Sequence, residues 1–212
     1  MRSAPYEPAD LVDGVLTIRL LEVSKPAASP ANGSMDISGL EKLLAVLESA
    51  RFDEAIHVIV LSAQDDRLMG ALGTTAYTQQ VLISQFVQAL RHMPQPIVAM
   101  AHGQVAETTQ AILDACDIVF ADGDRATLSF PPAELEAQTY KLANELATKD
   151  PLALRFTKKT VQQVASVPWD GILNFTTTQQ AEIKSLQAGQ PSARAKAIES
   201  FLAGKSKPGA GA

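Results

Sequence analysis

Cysteine is almost absent from this chain of 212 residues, and its scarcity limits the chemistry that the chain can perform. The single cysteine, Cys116, excludes an intramolecular disulfide and any metal site built from paired cysteines. Such sparing use of cysteine is typical of a reducing compartment. Because Cys116 lies at the approach to an apolar run, we interpret it as a small buried hydrophobe rather than as a nucleophile.

Basic charge and long apolar runs are also in short supply. Lys and Arg number 18 against 23 Asp and Glu, which gives a net charge of −5 and disfavours nucleic acid as the main partner. No run has the length of a membrane span, and the first residues, MRSAPYEPAD, lack the apolar centre of a secretory signal. We therefore expect a cytoplasmic protein with no nucleic-acid and no membrane partner.

Several motifs with known chemistry are missing as well. The chain contains no G-x-S-x-G, no P-loop and no G-x-G-x-x-G, so hydrolysis by a serine elbow and the binding of dinucleotides lack support. His57 and His92 have no His, Cys or carboxylate companions at ligand spacing. The sequence therefore predicts no metal site.

The residues that are present favour a packed α/β core followed by helices. A hydrophobic content of 46% is enough for a substantial core. Apolar, β-branched runs at 14–23, 56–62 and 126–130 predict strands, with helical spacing between them. After Phe130 the strand signals vanish, and four helices are predicted at 133–148, 151–167, 169–186 and 192–202. We predict an α/β core over 1–131, a helical region over 132–204 for oligomerisation or as a lid, and a flexible tail over 205–212.

Residues 96–121, PIVAMAHGQVAETTQAILDACDIVFA, form the centre of the predicted core. One apolar run ends at His102-Gly103, a helical passage follows, and a second apolar run begins after Asp117. This pattern predicts a buried strand, a turn, a helix and another buried strand. We expect the turn to face a ligand, because the helix that follows it begins with free backbone N–H groups.

The same stretch resembles the crotonase (enoyl-CoA hydratase/isomerase) superfamily. The resemblance lies in PIVAMAHG, then a spacer, then ACDIVFADGDRATLSFP, and it extends to VLTIRL, to IHVIVLS with its Gly-containing loop, and to the helical run PLALRFTKK. It covers nearly the whole chain, although each motif alone is loose. It implies a crotonase-like ββα spiral core with a helical C-terminal part.

This resemblance also implies a substrate and a device for handling it. Crotonases bind acyl-CoA thioesters, and two backbone N–H groups hold the thioester oxygen while an enolate forms. By position, these donors would be the amides of Gly70 and Thr108. Lys158 and Lys159 are candidate contacts for CoA phosphates, with a solvated helix face as the alternative. No other cofactor is implied, an acyl carrier protein is a candidate partner, and relatives assemble as trimers or hexamers.

The chain departs from the family where catalysis takes place. Glu107-Thr108-Thr109 replaces a run of glycines, and the first catalytic carboxylate of a hydratase falls on Ala111. The family's long segment with the second carboxylate is missing, since Phe130-Pro131 leads almost directly into the helices. Hydration needs one group to activate water and another to deliver a proton. The standard pair of glutamates is therefore not expected here.

Three other side chains are candidates for acid or base. Glu107 is either a displaced base or, as we favour, a carboxylate that stabilises a helix N-terminus. His102 is either a proton shuttle or, more simply, a strand-end histidine that bonds to backbone. Tyr77 is either a polar replacement for a glutamate or a buried helical tyrosine. Two functions stay open: an acyl-thioester lyase or isomerase with an atypical site, and a non-catalytic crotonase-fold partner of an active relative.

Overall fold

A computed structural model describes residues 9–20, 37–63, 77–102, 107–122, 128–164, 168–188 and 193–204. The elements are β1 (Ala9–Val12), β2 (Val15–Arg19), α1 (Ile37–Arg51), β3 (Val58–Ala63), α2 (Tyr77–Arg91), β4 (Ile97–Ala101), α3 (Glu107–Leu113), β5 (Ile118–Ala121), β6 (Leu128–Ser129), α4 (Pro132–Ala147), α5 (Pro151–Val164), α6 (Trp169–Leu186) and α7 (Ala193–Leu202). The predicted α/β class with a helical C-terminal part is confirmed.

The described strands form one sheet in the order of the chain, from β1 to β6. β1 and β2 are antiparallel, whereas each following pair is parallel. Helices α1, α2 and α3 connect the parallel strands from β2 to β5. Because these strands run in one direction, their carboxyl ends meet at a single edge of the sheet.

The sheet begins with a hairpin that the sequence pattern did not predict. The first strand was expected over 14–23, but β2 covers Val15–Arg19, and residues 21–23 lie outside the described residues. Asp13 and Gly14 have φ values of 48° and 81°, which are the positive angles that a two-residue hairpin turn requires. This turn reverses the chain and pairs β1 with β2.

Both faces of the sheet are covered, which explains why the strands are apolar runs rather than alternating ones. One face packs against α1, α2 and α3, with residues such as Ile59, Leu61 and Ala99 in this core. The other face packs against α4, with Val58, Val60 and Val98 in its core. Alternate residues of each strand therefore point toward different helices.

The chain divides into two compact units, Met1–Leu154 and Arg155–Ala212. The elements change from strands to helices after β6, and the first compact unit extends to Leu154, so α4 belongs to the unit that contains the sheet. In the second unit, the Thr160 hydroxyl donates a hydrogen bond to Oε1 of Gln179. Among the described helices, none combines the length and the apolar composition of a membrane span.

Candidate functional site

The carboxyl edge of the sheet brings together the ends of β3, β4 and β5. Ala63, Ala101 and Ala121 lie opposite one another at the ends of these strands. The next residues along β4 and β5 are His102 and Asp122. At this edge of a parallel sheet, ligands typically bind beyond the strand ends.

His102 and Asp122 form a close pair of polar side chains. Nδ1 of His102 lies 3.4 Å from Oδ2 of Asp122, with 29% of the histidine side chain and 11% of the aspartate side chain exposed. The alternation of the strands directs both toward the face covered by α4, as it does Met100 and Phe120 one pleat earlier. His102 thus has a carboxylate neighbour that the pattern did not indicate.

Helix α3 is the next element along the chain after β4. Glu107 is the first and Thr108 the second residue of this helix. The first N–H groups of a helix have no carbonyl partner within it, and the Thr108 amide is one of these groups. Ala111, on the same helix, is exposed and has no ionisable group.

Two further elements lie at this edge. The amide of Phe130 donates a hydrogen bond of 3.0 Å to the carbonyl of Ala121, and α4 begins two residues later, so its first turn is near the end of β5. Pro131 precedes α4 without a side-chain cap. On β3, the hydroxyl of Ser62 is buried and has no hydrogen-bond partner among the described residues.

The other predicted catalytic residues lie outside the described residues or are described by their backbone alone. Gly70 lies outside the described residues. Tyr77 is the first residue of α2, and only its backbone is described. For Glu107 and Thr108, likewise, only the backbone is described.

The two candidate lysines lie on α5 and differ in exposure. Lys158 is buried with 7% exposure, so the interpretation as a solvated helix face is wrong for this residue. Lys159 is about half exposed, and its Nζ lies 3.8 Å from Oε2 of Glu182 and 5.6 Å from the centre of the Phe156 ring. Only Lys159 therefore matches the expectation of an accessible cation.

The side chains of the remaining histidines and of the cysteine each lie at a backbone carbonyl. Nδ1 of His57 lies 2.8 Å from the carbonyl of Ala147, and Nδ1 of His92 lies 2.8 Å from that of Gln88. Cys116 is half-buried, and its thiol donates to the carbonyl of Ile112. In the described part of the chain, no three His, Cys, Asp or Glu side chains are grouped to hold a metal ion.

Asp122 is the site residue that the sequence pattern missed. It follows an apolar strand directly, as His102 does, and the two residues are 20 positions apart along the chain. A search for polar residues at the ends of successive parallel strands would have found both. Their separation in sequence hides them from any test based on local spacing.

Comparison with known proteins identifies the fold. No protein-family model matches the chain, and no curated protein matches it by sequence. Solved structures do match: human enoyl-CoA hydratase domain-containing protein 3 (TM-score 0.73, 15% identity, 93% of this chain and 97% of that one) and a putative enoyl-CoA hydratase from Streptomyces coelicolor A3(2) (TM-score 0.69, 17% identity, 100% and 97%). An enoyl-CoA hydratase/isomerase family protein from Silicibacter pomeroyi gives a TM-score of 0.67 at 18% identity, over 82% and 96%.

These similarities show that the chain has the fold of enoyl-CoA hydratase/isomerase (crotonase) proteins, as its sequence motifs predicted. The identities of 15–18% show the fold alone. The activity has to be argued from the residues at the carboxyl edge of the sheet.

Proposed function

We propose that the protein binds an acyl thioester, carried by CoA or by an acyl carrier protein, and stabilises its enolate. The thioester oxygen would accept hydrogen bonds from the amides of Gly70 and Thr108. The observation that supports this proposal most is that α3, which begins with Glu107 and Thr108, is the next element along the chain after β4 within a crotonase fold. Backbone donors aimed at a developing oxyanion are a large source of rate enhancement.

The chemistry that such a site supports begins at the carbon next to the thioester carbonyl. A thioester accepts negative charge poorly until donors lie close to its oxygen. Once the oxygen is held, a base can remove a proton from that carbon, and isomerisation, decarboxylation or a lyase step can follow. The acid or base that moves the proton would differ from the standard pair of glutamates, because Ala111 has no carboxylate. Glu107, His102 and Tyr77 are the candidates for it.

The second compact unit would serve the substrate's phosphates and the assembly of the protein. Lys159 is the accessible candidate for a phosphate contact, with Lys158 beside it along α5. We propose a homo-oligomer, a trimer or hexamer, because α6 exposes large apolar side chains. Leu173 is 74% and Leu186 is 59% exposed.

A second candidate function is a non-catalytic crotonase-fold partner of an active relative. The observation that favours it is Ala111, which is exposed on α3 where a hydratase would have its first carboxylate. A protein of this kind would bind its relative and leave acyl thioesters unchanged. Exchange of the thioester's α-protons therefore separates the two functions.

The experiment compares Thr108→Pro with Thr108→Ala. Proline removes the amide N–H yet is tolerated in the first turn of a helix, whereas alanine keeps the N–H. In deuterated water, proton NMR would follow the exchange of α-protons in an acyl-CoA. We expect Thr108→Pro to slow exchange about 10²- to 10³-fold, as the loss of one oxyanion donor does elsewhere.

Thr108→Ala should keep the rate of the parent protein, because the donor is a backbone group. Circular dichroism would verify that both variants retain their helices. Equal rates for Thr108→Pro and the parent protein would reject Thr108 as an oxyanion donor. No exchange by the parent protein would favour the non-catalytic function.

A further inference from the structure

The ends of β4 and β5 place an imidazole beside a carboxylate. Ala101 and Ala121 are paired in the parallel register, and His102 and Asp122 are the next residues of the two strands. Neighbouring strands are about 4.8 Å apart, so short side chains at equivalent positions of the two strands are close enough to contact each other. The 3.4 Å between Nδ1 and Oδ2 is thus a consequence of the sheet's register.

The two members of the pair differ in their access to solvent. The aspartate side chain is 11% exposed and the histidine side chain 29%. The carboxylate is therefore the inner member, and the imidazole is the one that a bound molecule can reach. A carboxylate in surroundings poor in water interacts more strongly with a neighbouring N–H than an exposed one does.

We propose that His102 moves protons in this site and that Asp122 is its positioning residue, an inference that rests on the proposed acyl-thioester function. With the proton of neutral imidazole on Nδ1, facing Asp122, the lone pair of Nε2 is available to a substrate. Which ring nitrogen holds the proton is set by the partner of the other one. Catalytic contacts that are long in the empty site commonly tighten when substrate binds.

The proton transfer balances without a further reactant. Nε2 takes a proton from the carbon next to the carbonyl of a 3-enoyl thioester, and the electrons of that C–H bond enter a dienolate whose charge rests on the thioester oxygen. Asp122 stabilises the imidazolium that forms. Nε2 then returns the proton to the fourth carbon, so the double bond moves into conjugation with the carbonyl. No oxidant, water or metal is consumed.

Two features of the carboxyl edge make His102 and Asp122 better candidates for proton transfer than the other polar groups. His102 follows β4 and Thr108 is the second residue of α3, the next element, so base and oxyanion donor would lie on either side of one strand-to-helix connection. Ala111 leaves the usual position of a carboxylate empty of ionisable groups. The site thus needs a proton carrier from elsewhere, and His102 is the imidazole at this edge among the described residues.

The test follows a short-chain and a long-chain 3-enoyl-CoA in deuterated water by proton NMR, together with calorimetric titration of the same compounds. His102→Gln should slow α-proton exchange and isomerisation about 10²-fold or more, the usual contribution of a general base. Asp122→Ala should slow both less than His102→Gln does. His92→Gln and Asp114→Ala, which change an exposed histidine and an exposed aspartate elsewhere, should leave the rates unchanged.

A spectroscopic readout separates positioning from a merely structural effect. Nitrogen-15 NMR of labelled histidines near pH 8.5, about two units above the ordinary pKa of histidine, reports which ring nitrogen holds the proton. The parent protein should show His102 with its proton on Nδ1. Asp122→Ala should shift the proton toward Nε2 while His57 and His92 keep their signals.

The outcomes distinguish this inference from the function on which it rests. Binding and exchange by the parent protein, with loss in His102→Gln and the tautomer change in Asp122→Ala, support it. Binding and exchange with an unaffected His102→Gln overturn it and leave the proposed function standing. Binding without exchange overturns it and keeps only the binding. No binding by the parent protein overturns both.

Discussion

Gly14 makes the sharp reversal between β1 and β2. Its φ of 81° lies in the left-handed region, where side chains with a Cβ are strained. Its carbonyl accepts hydrogen bonds from the amides of His57 and Val58, at 2.8 and 3.2 Å. A Cβ at this position would lie 3.2 Å from Cγ and Nδ1 of the His57 ring. The glycine therefore permits both the turn and the close approach of the loop before β3.

We predict that Gly14→Ala lowers the free energy of unfolding by about 1–2 kcal/mol, the usual cost of a left-handed residue with a Cβ. The contact with the His57 ring adds to this cost, because Nδ1 of that ring is already held at the carbonyl of Ala147. Urea denaturation of the parent protein and the variant would measure the change.

Gly204→Ala is the matched control. Gly204 also has a positive φ, 68°, but a Cβ there would meet nothing within 4 Å. A loss for Gly14→Ala no larger than that for Gly204→Ala would contradict the role of the His57 contact.

The residues of the candidate site could be predicted only in part. Thr108 follows from the family motif and a helix start, and the structure places it in the first turn of α3. Asp122 could not be found in this way, because its relation to His102 depends on the register of two strands joined through a helix. Local patterns indicate that a strand ends, but not which strand lies beside it.

Helix α4 packs on one face of the sheet, against β2, β3, β4 and β5. Leu135 and Ala143 are fully buried in the core that it forms with β2, β3, β4 and β5. The hydroxyl groups of Tyr140 and Thr17 lie 3.1 Å apart and hydrogen-bond across the same interface. The helix is therefore part of the core rather than of a separate appendage.

We predict that Leu135→Ala lowers the free energy of unfolding by about 2–5 kcal/mol, because it leaves a cavity between α4 and the sheet. Glu136→Ala, next to it and exposed, should change stability by less than about 0.5 kcal/mol. Thermal and urea denaturation of both variants would compare them. An effect of Leu135→Ala as small as that of Glu136→Ala would show that α4 is not packed on the sheet.

The elements themselves were largely accessible from pattern. The apolar run 56–62 predicted β3, which covers Val58–Ala63, and the helix predicted over 169–186 coincides with α6. The hairpin of β1 and β2 was missed although Asp13-Gly14 is a typical turn pair, since the short polar-flanked β1 has no strong strand signal. β1 forms because it pairs with β2 in the sheet, and not because its own residues have a high strand propensity.

The whole molecule has the fold of crotonase proteins, with an alanine at position 111 of α3, where the family resemblance places the first carboxylate of a hydratase. Order and burial of the apolar runs were enough to predict the α/β class, because a parallel sheet covered on both faces requires them. The proposed assembly of subunits and the proposed acyl substrate depend on surfaces that contact other molecules. These contacts cannot be predicted from the residue pattern of a single sequence.

The most direct test of the acyl-thioester function is a calorimetric titration of the protein with butyryl-CoA, with free CoA as the comparison. The fold and the first turn of α3 predict saturable binding below millimolar concentration. They also predict tighter binding of butyryl-CoA than of CoA, because only the thioester has the oxygen that the Thr108 amide would hold. The absence of binding at millimolar butyryl-CoA would contradict the proposed function.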